Sequence, residues 1–126
     1  DGGISDSIPI KKFQEMGYEK NVVVLTQPEN YVKKPQSMMK AIRVKYHKYP
    51  NMVRDLELRH EKYNDTIAYI KEEVAKNNVF VIQPEAKLDI GRIEHDRKRI
   101  RAVYEEGRKT AMKRLEELKM FLRQGE

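Results

Sequence analysis

The chain opens on Asp1-Gly2-Gly3-Ile4-Ser5-Asp6-Ser7, and this run holds the densest set of groups able to take part in a reaction. A carboxylate can act as a general base, and a hydroxyl becomes a nucleophile when a nearby base takes its proton. A nucleophilic serine is commonly presented on a sharp turn of the form Gly-x-Ser-x-Gly, where the glycines leave room for the strained backbone. Gly3-Ile4-Ser5-Asp6-Ser7 fails that form at its last position, so Ser5 is not read as the nucleophile. Taken alone, an acid before two glycines most often marks a turn, and Gly2 and Gly3 predict a tight one in which the backbone approaches something closely.

The other chemistry-bearing residues point to little. His47, His60 and His95 fall on different predicted elements without the paired spacing of a zinc helix, and there is no cysteine to ligate a metal or form a disulfide. No metal site is expected, and a reducing compartment is the simpler assumption. His60 lies on an apolar helical stripe and reads as a partly buried, hydrogen-bonded histidine. The segment GGISDS lacks the lysine and later glycine of a phosphate loop, and the sequon Asn64-Asp65-Thr66 lies inside a predicted helix and reads as accidental.

These groups need a scaffold, and 126 residues suit one folding unit, 1–126, with a modest core. With 39% hydrophobic and 37% charged residues, the composition favours a soluble, helix-rich chain. Asp6 or Ser7 can cap a helix over 9–17, with Pro9 just inside its start and Gly17 ending it in a left-handed conformation. The apolar runs VVVLTQP and VFVIQP predict strands over 22–26 and 79–83, parallel to each other and buried on both faces. Between them lie two helical stretches, divided at Tyr49-Pro50-Asn51. The later one, 51–76, carries Leu56, His60, Tyr63, Ile67, Ile70 and Val74 on one stripe. After the second strand, Asp96 or a neighbour caps one long helix whose stripe runs from Ile100 through Gly107 to Leu122; the place of Gly107 on that stripe predicts close packing or a kink. The fold class is α/β, with a short parallel sheet and several helices, and the sheet should gather its reactive groups at the carboxyl ends of its strands. No run approaches the roughly 20 apolar residues of a membrane helix.

The formal net charge of +6 has a local source. Residues 30–53 contain Lys33, Lys34, Lys40, Arg43, Lys45 and Lys48 and no acid. Met38, Met39, Ile42, Tyr46 and Tyr49 recur at helical spacing opposite several of these bases, the pattern of a helix on an anionic membrane surface or of a core-packed helix with a solvated basic face. Nucleic acid is not expected as a partner, since no recognition motif accompanies the charge.

The run DGGISDSIPI, the short helix ending at Gly17 and the strand VVVLTQP together resemble the patatin-like phospholipase family. The segments YVKKP, KYP, RHEKYN and FVIQPEAKLDIGRIEHD and the Tyr104–Leu122 helix extend the resemblance to the C-terminal region of bacterial patatin-like proteins. It implies the C-terminal portion of a three-layer α/β hydrolase, beginning at an Asp-Gly-Gly motif whose aspartate, Asp1, pairs with a serine on an upstream Gly-x-Ser-x-Gly elbow. It also implies hydrolysis of acyl esters of lipids by a Ser-Asp dyad without metal or organic cofactor, in the cytoplasm or at its membrane surface. The start at Asp1, without Met or a polar lead-in, reads as an excised piece. The missing N-terminal half, carrying serine and oxyanion donors, is then one partner; a second copy pairing on the exposed sheet is another. The rival reading is a noncatalytic helical interaction or membrane-surface module in which Asp1 is a turn residue.

Overall fold

A computed structural model describes residues 2–91 and 93–124. Two turns of the same design set its frame. α2 (Ile10–Glu15) ends at Gly17, whose φ of 94° lies in the left-handed region. The Gly17 amide donates to the Gln14 carbonyl at 2.9 Å and the Tyr18 amide to that of Phe13 at 3.1 Å, the bond pair by which a left-handed residue closes a helix. α4 (Pro50–Ala75) closes in the same way around Asn77, at φ 60°, with Asn77 donating to Val74 at 3.0 Å and Asn78 to Glu73 at 2.9 Å. Asparagine tolerates this region better than most residues, and the Asn77 side-chain amide also donates to Gln124, after α6, at 2.8 Å.

Each turn feeds directly into a strand, β1 (Asn21–Val24) and β2 (Val79–Ile82). They pair in parallel with Asn21 opposite Val79 and Val24 opposite Ile82, and are slightly shorter than the sequence predicts. The class is therefore α/β, with a sheet of two parallel strands among the described residues. Because only residues 76–78 separate α4 from β2, the helix runs back against the direction of the strands. At about 1.5 Å per residue its 26 residues span about 39 Å, against about 13 Å for a four-residue strand, so its first half extends beyond the sheet's carboxyl edge.

The core lies between α4 and one face of the sheet: Ile10, Ile70 and Val79 are buried, with Ile8, Val23, Ile67, Tyr69 and Val81 packed around them. Phe80 points to the opposite face, where Phe121 of α6 (Leu115–Arg123) covers it with ring centroids 5.7 Å apart. Burial on both faces thus holds for β2 but not for β1. Val22 is 41% and Val24 70% exposed, because α6 reaches Phe80 and stops short of the neighbouring strand.

The single long C-terminal helix of the sequence reading is two helices. α5 (Arg97–Lys113) starts at Asp96, whose carboxylate accepts from the Lys98 amide at 2.8 Å, and it breaks at Arg114. The Arg114 guanidinium donates to the Val81 carbonyl at 2.7 Å and to Glu117 at 2.7 Å and lies over the Phe80 ring. Turning the chain there brings Phe121 onto the sheet. Gly107 is exposed and a side chain at its Cβ would meet nothing within 4 Å, so no close packing occurs at it, and α5 continues through it. The cap expected from Asp6 or Ser7 is also absent: Pro9 precedes α2, without a side-chain cap.

One charged group is deeply enclosed among the described residues. Glu73, 5% exposed, accepts from Lys76 Nζ at 2.8 Å, Gln14 Nε2 at 2.9 Å and Asn78 Nδ2 at 3.1 Å, and Tyr69 in turn donates to Gln14 at 2.6 Å. The hydrogen bonds from Lys76 and Asn78 hold its carboxyl below the ordinary glutamate range, outweighing the upward push of burial. A carboxylate depressed in the folded state stabilises it fully above the unfolded value and ceases to do so as pH falls through the folded value. Denaturant midpoints should therefore drop as pH falls below the ordinary glutamate range. Glu73→Gln should be less stable at neutral pH and lose less over that acid window, the remaining slope coming from Glu85 and Glu94, which are depressed by Lys113 and by the Asp96 amide respectively.

Candidate functional site

The first described residues form α1 (Gly2–Ser5), a single helical turn where the sequence predicts a tight turn. Asp1, the candidate catalytic residue, lies outside the described residues. A Cβ on Gly2 would meet nothing within 4 Å, so no close backbone approach requires glycine there. What fixes the segment is Arg59 of α4, whose Nε donates to the Gly3 carbonyl at 2.7 Å; Ser7 Oγ donates to the same oxygen at 3.0 Å. Ser5 is exposed. α1 and the turn after it meet Arg59, Lys62, Tyr63 and Thr66 across a crevice of about 20 Å³.

The same stretch of α4 receives the chain leaving β1. Pro28 is buried, and Tyr31 meets Tyr63 edge to face at 5.9 Å and 84°. Asn64 clamps Lys33 from both sides, its Oδ1 accepting from the Lys33 amide at 2.9 Å and its Nδ2 donating to the Lys33 carbonyl at 3.1 Å. Lys33 Nζ stands 4.7 Å from the centre of the Tyr63 ring. Burial, and secondarily the neighbouring Tyr31, raises the Tyr63 hydroxyl above the ordinary tyrosine value, so it remains a neutral donor at physiological pH.

Beside these residues a groove of about 370 Å³ runs along α4 and β2, from Val74, Val79 and Arg114 to the carboxyl side of the sheet, where Leu25, Gln27 and Tyr31 line it. Such a groove, mostly apolar with a few polar groups at its border, can hold a hydrocarbon chain and orient its polar end. Tyr63 lines both the groove and the crevice at α1. The residues that follow Asp1 therefore stand at one end of an apolar groove, on the carboxyl side of the sheet.

The basic segment is only partly helical. α3 (Met39–Lys45) turns Met39 and Ile42 toward α4, with Tyr46 half-buried just after it, while Met38 and Tyr49 are exposed outside the helix. The continuous apolar stripe of the sequence reading is accordingly broken at both ends. Arg43 donates to Glu57, whereas Lys34, Lys40 and Lys48 form no ion pair among the described residues. Lys45 lies over the Tyr46 ring at 5.3 Å, and beside it Val44 is 76% exposed.

His60 is half-buried as expected, but its Nδ1 has no hydrogen-bond partner and its Nε2 lies 3.8 Å from Glu61, so the expected hydrogen bond is not formed. No cluster of three metal-binding side chains occurs among the described residues, and no helix there is long and apolar enough to cross a membrane.

Arg59 and Tyr63 are the positioning residues that sequence reasoning passed over. Both stand in the run RHEKYN, four residues apart and so on one helix face, which was the available signal. Arg59→Met should remove a charge-assisted hydrogen bond of about 1.5–3 kcal/mol and release α1. Hydrogen exchange should then accelerate at the Asp6 amide, which donates to Gly2 at 2.9 Å, while the β1 and β2 amides keep their protection.

Residues 49–123, more than half of the chain, match the family model described as a domain of unknown function, DUF6363. No curated protein and no solved structure matches.

Proposed function

The chain belongs to the DUF6363 family, and we propose that it is the C-terminal part of a patatin-like serine hydrolase that cleaves acyl esters of lipids through a Ser-Asp dyad. The observation that carries this reading is the juxtaposition at Tyr63: the segment directly after Asp1 and the end of the apolar groove that reaches the sheet's carboxyl edge share that residue. Open α/β sheets bind their ligands at this edge.

In the proposed reaction Asp1 takes the proton of a serine hydroxyl supplied by an N-terminal half of the same three-layer fold. The serine oxygen attacks the acyl carbon, and amide donors from that half hold the developing oxyanion, each worth about 3 kcal/mol. The proton passes to the departing alcohol, and water then releases the acyl group by the reverse sequence with Asp1 again as base. No metal or organic cofactor enters the scheme. Arg59, through Gly3, would keep Asp1 in register with the serine.

The 126-residue chain by itself should release no nitrophenol from short-chain nitrophenyl esters above buffer. Asp1→Asn in the intact protein should leave the fold unchanged and lower turnover by orders of magnitude. Near-normal turnover of that variant would remove Asp1 from the mechanism.

For the intact enzyme we place the work in the cytoplasm, at the face of an anionic membrane. Exposed Met38, Val44 and Tyr49 interspersed with Lys34, Lys40, Lys45 and Lys48 give that surface both apolar and cationic groups. Each base near such a membrane contributes about 1 kcal/mol, screened over about 8 Å at physiological salt. Co-sedimentation with anionic vesicles should be weak and salt-sensitive and should fall when Lys40, Lys45 and Lys48 are replaced by Gln. Arg43→Gln should have a smaller effect, because Glu57 already neutralises Arg43. Unchanged binding of the triple variant would leave only a solvated basic face.

A further inference from the structure

Bases from three separate stretches of chain line one groove of about 740 Å³, which shares Arg59 with the crevice at α1. Lys33 and Lys34 follow β1, Arg59 stands on α4, and Lys87 lies in the connection that leaves β2. Among the described residues the wall of this groove contains no acid. Acids that neighbour these bases in sequence bond elsewhere: Glu29 faces Lys71 at 4.0 Å, Glu57 pairs with Arg43, and Glu85 pairs with Lys113 at 2.9 Å. Lys34 and Lys87 form no ion pair among the described residues. Two of the bases are held in place. Asn64 fixes the Lys33 backbone at 2.9 and 3.1 Å, and the Arg59 Nε–H is anchored on the Gly3 carbonyl at 2.7 Å, which leaves the terminal N–H groups of its fork for a second acceptor. Like charges gathered in one concavity repel one another and raise its potential, and a bound anion relieves both.

We propose that this groove binds the phosphate group of a small phosphorylated ligand. A phosphate monoester carries about two negative charges at neutral pH and offers three acceptor oxygens, whereas a carboxylate carries one charge and would leave most of these bases uncompensated. The Arg59 fork can meet phosphate oxygens in pairs and the lysines act as point charges, with Asn30 and Ser37 in the same wall as neutral donors. The volume lies within the range of about 300–1,000 Å³ common to small-molecule sites, so the groove takes one compact molecule rather than the length of a nucleic acid, with room beyond the phosphate for the rest of it. Pro28 and Tyr31 line both this groove and the apolar one, so either a soluble compound or a lipid headgroup can present the phosphate there. The inference does not rest on the hydrolase reading, since it concerns the charge of the groove and not the chemistry of Asp1.

Backbone amide magnetic resonance of the 126-residue chain, titrated with inorganic phosphate and separately with sodium chloride at matched ionic strength, tests it. Phosphate should shift the Lys34, Ser37 and Lys87 amides along one saturable curve, and chloride should not. The pair Lys34→Gln and Lys87→Gln should weaken phosphate binding about tenfold or more. The pair Lys40→Gln and Lys48→Gln removes the same charge from outside the groove and should change binding by less than about twofold, because separated surface charges are screened. All four lysines are exposed, so the amide spectra of both variants should match the wild type away from the substitutions. Phosphatidylcholine vesicles containing phosphatidic acid then identify the source of the phosphate. If the groove pair loses more co-sedimentation with them than with phosphatidylserine vesicles of equal charge, the phosphate is that of a lipid headgroup; otherwise it is that of a soluble compound. No saturable shift with phosphate, the same shifts with chloride, or a groove pair that weakens binding no more than the control pair would overturn the proposal.

Discussion

A carboxylate withdrawn from water has to be surrounded by donors, and Glu73 finds them on two separate pieces of chain, α2 and the turn that joins α4 to β2. Gln14 comes from α2, and Lys76 and Asn78 from the turn between α4 and β2. Through Gln14 the network fixes α2, the element before β1; through Asn78 it fixes the first residue after the left-handed Asn77. The two strands therefore start from a common polar anchor, and the register of Asn21 against Val79 follows from it. The apolar core of Ile10, Ile70 and Val79 sits directly beside this network and supplies cohesion without direction. The carboxylate supplies the direction, since its oxygens accept only where donors are correctly placed.

From that anchor α4 projects as a beam. Its last turns cover the sheet and its earlier turns lie past the sheet's carboxyl edge, where Arg59, Tyr63 and Asn64 collect three otherwise unconnected features: the glycine-rich start of the chain, the exit of β1 and the apolar groove. A strand of four residues could not organise a site of this width. The helix, with its internally satisfied backbone, can.

The sequence disclosed the elements whose signals are local. VVVL and VFVI could be read as strands, Gly17 as a helix stop, Pro50 as the break between two helices and Asp96 as a cap, because each depends on a signal local to its own position. What escaped were features created by distant partners. The break at Arg114 comes from the Val81 carbonyl and Phe80 and leaves no mark in the apolar period of residues 100–122. The exposed face of β1 depends on where α6 ends, which its own valines do not encode. In the site, Arg59 and Asn64 look like ordinary surface residues of a charged helix, and Asn64 resembled a stray sequon; only the backbone groups they hold give them a role.

The Asn64 clamp has a consequence for how the chain can vary in length. By accepting and donating at Lys33 it imitates the pairing of a neighbouring strand, and it divides the connection between β1 and α3 into two spans. The first, from Thr26 to Lys33, is held along its length, with Pro28 buried, its carbonyl accepting from the Tyr31 amide at 3.0 Å, and Tyr31 against Tyr63. A residue added there must shift an aromatic contact or the clamp. The second, from Lys34 to Met38, touches little and ends in an exposed left-handed methionine, so an added residue there can bulge outward. Relatives of this chain should differ in length after the clamp rather than before it, and a tag or label inserted in the second span would leave the apolar groove undisturbed.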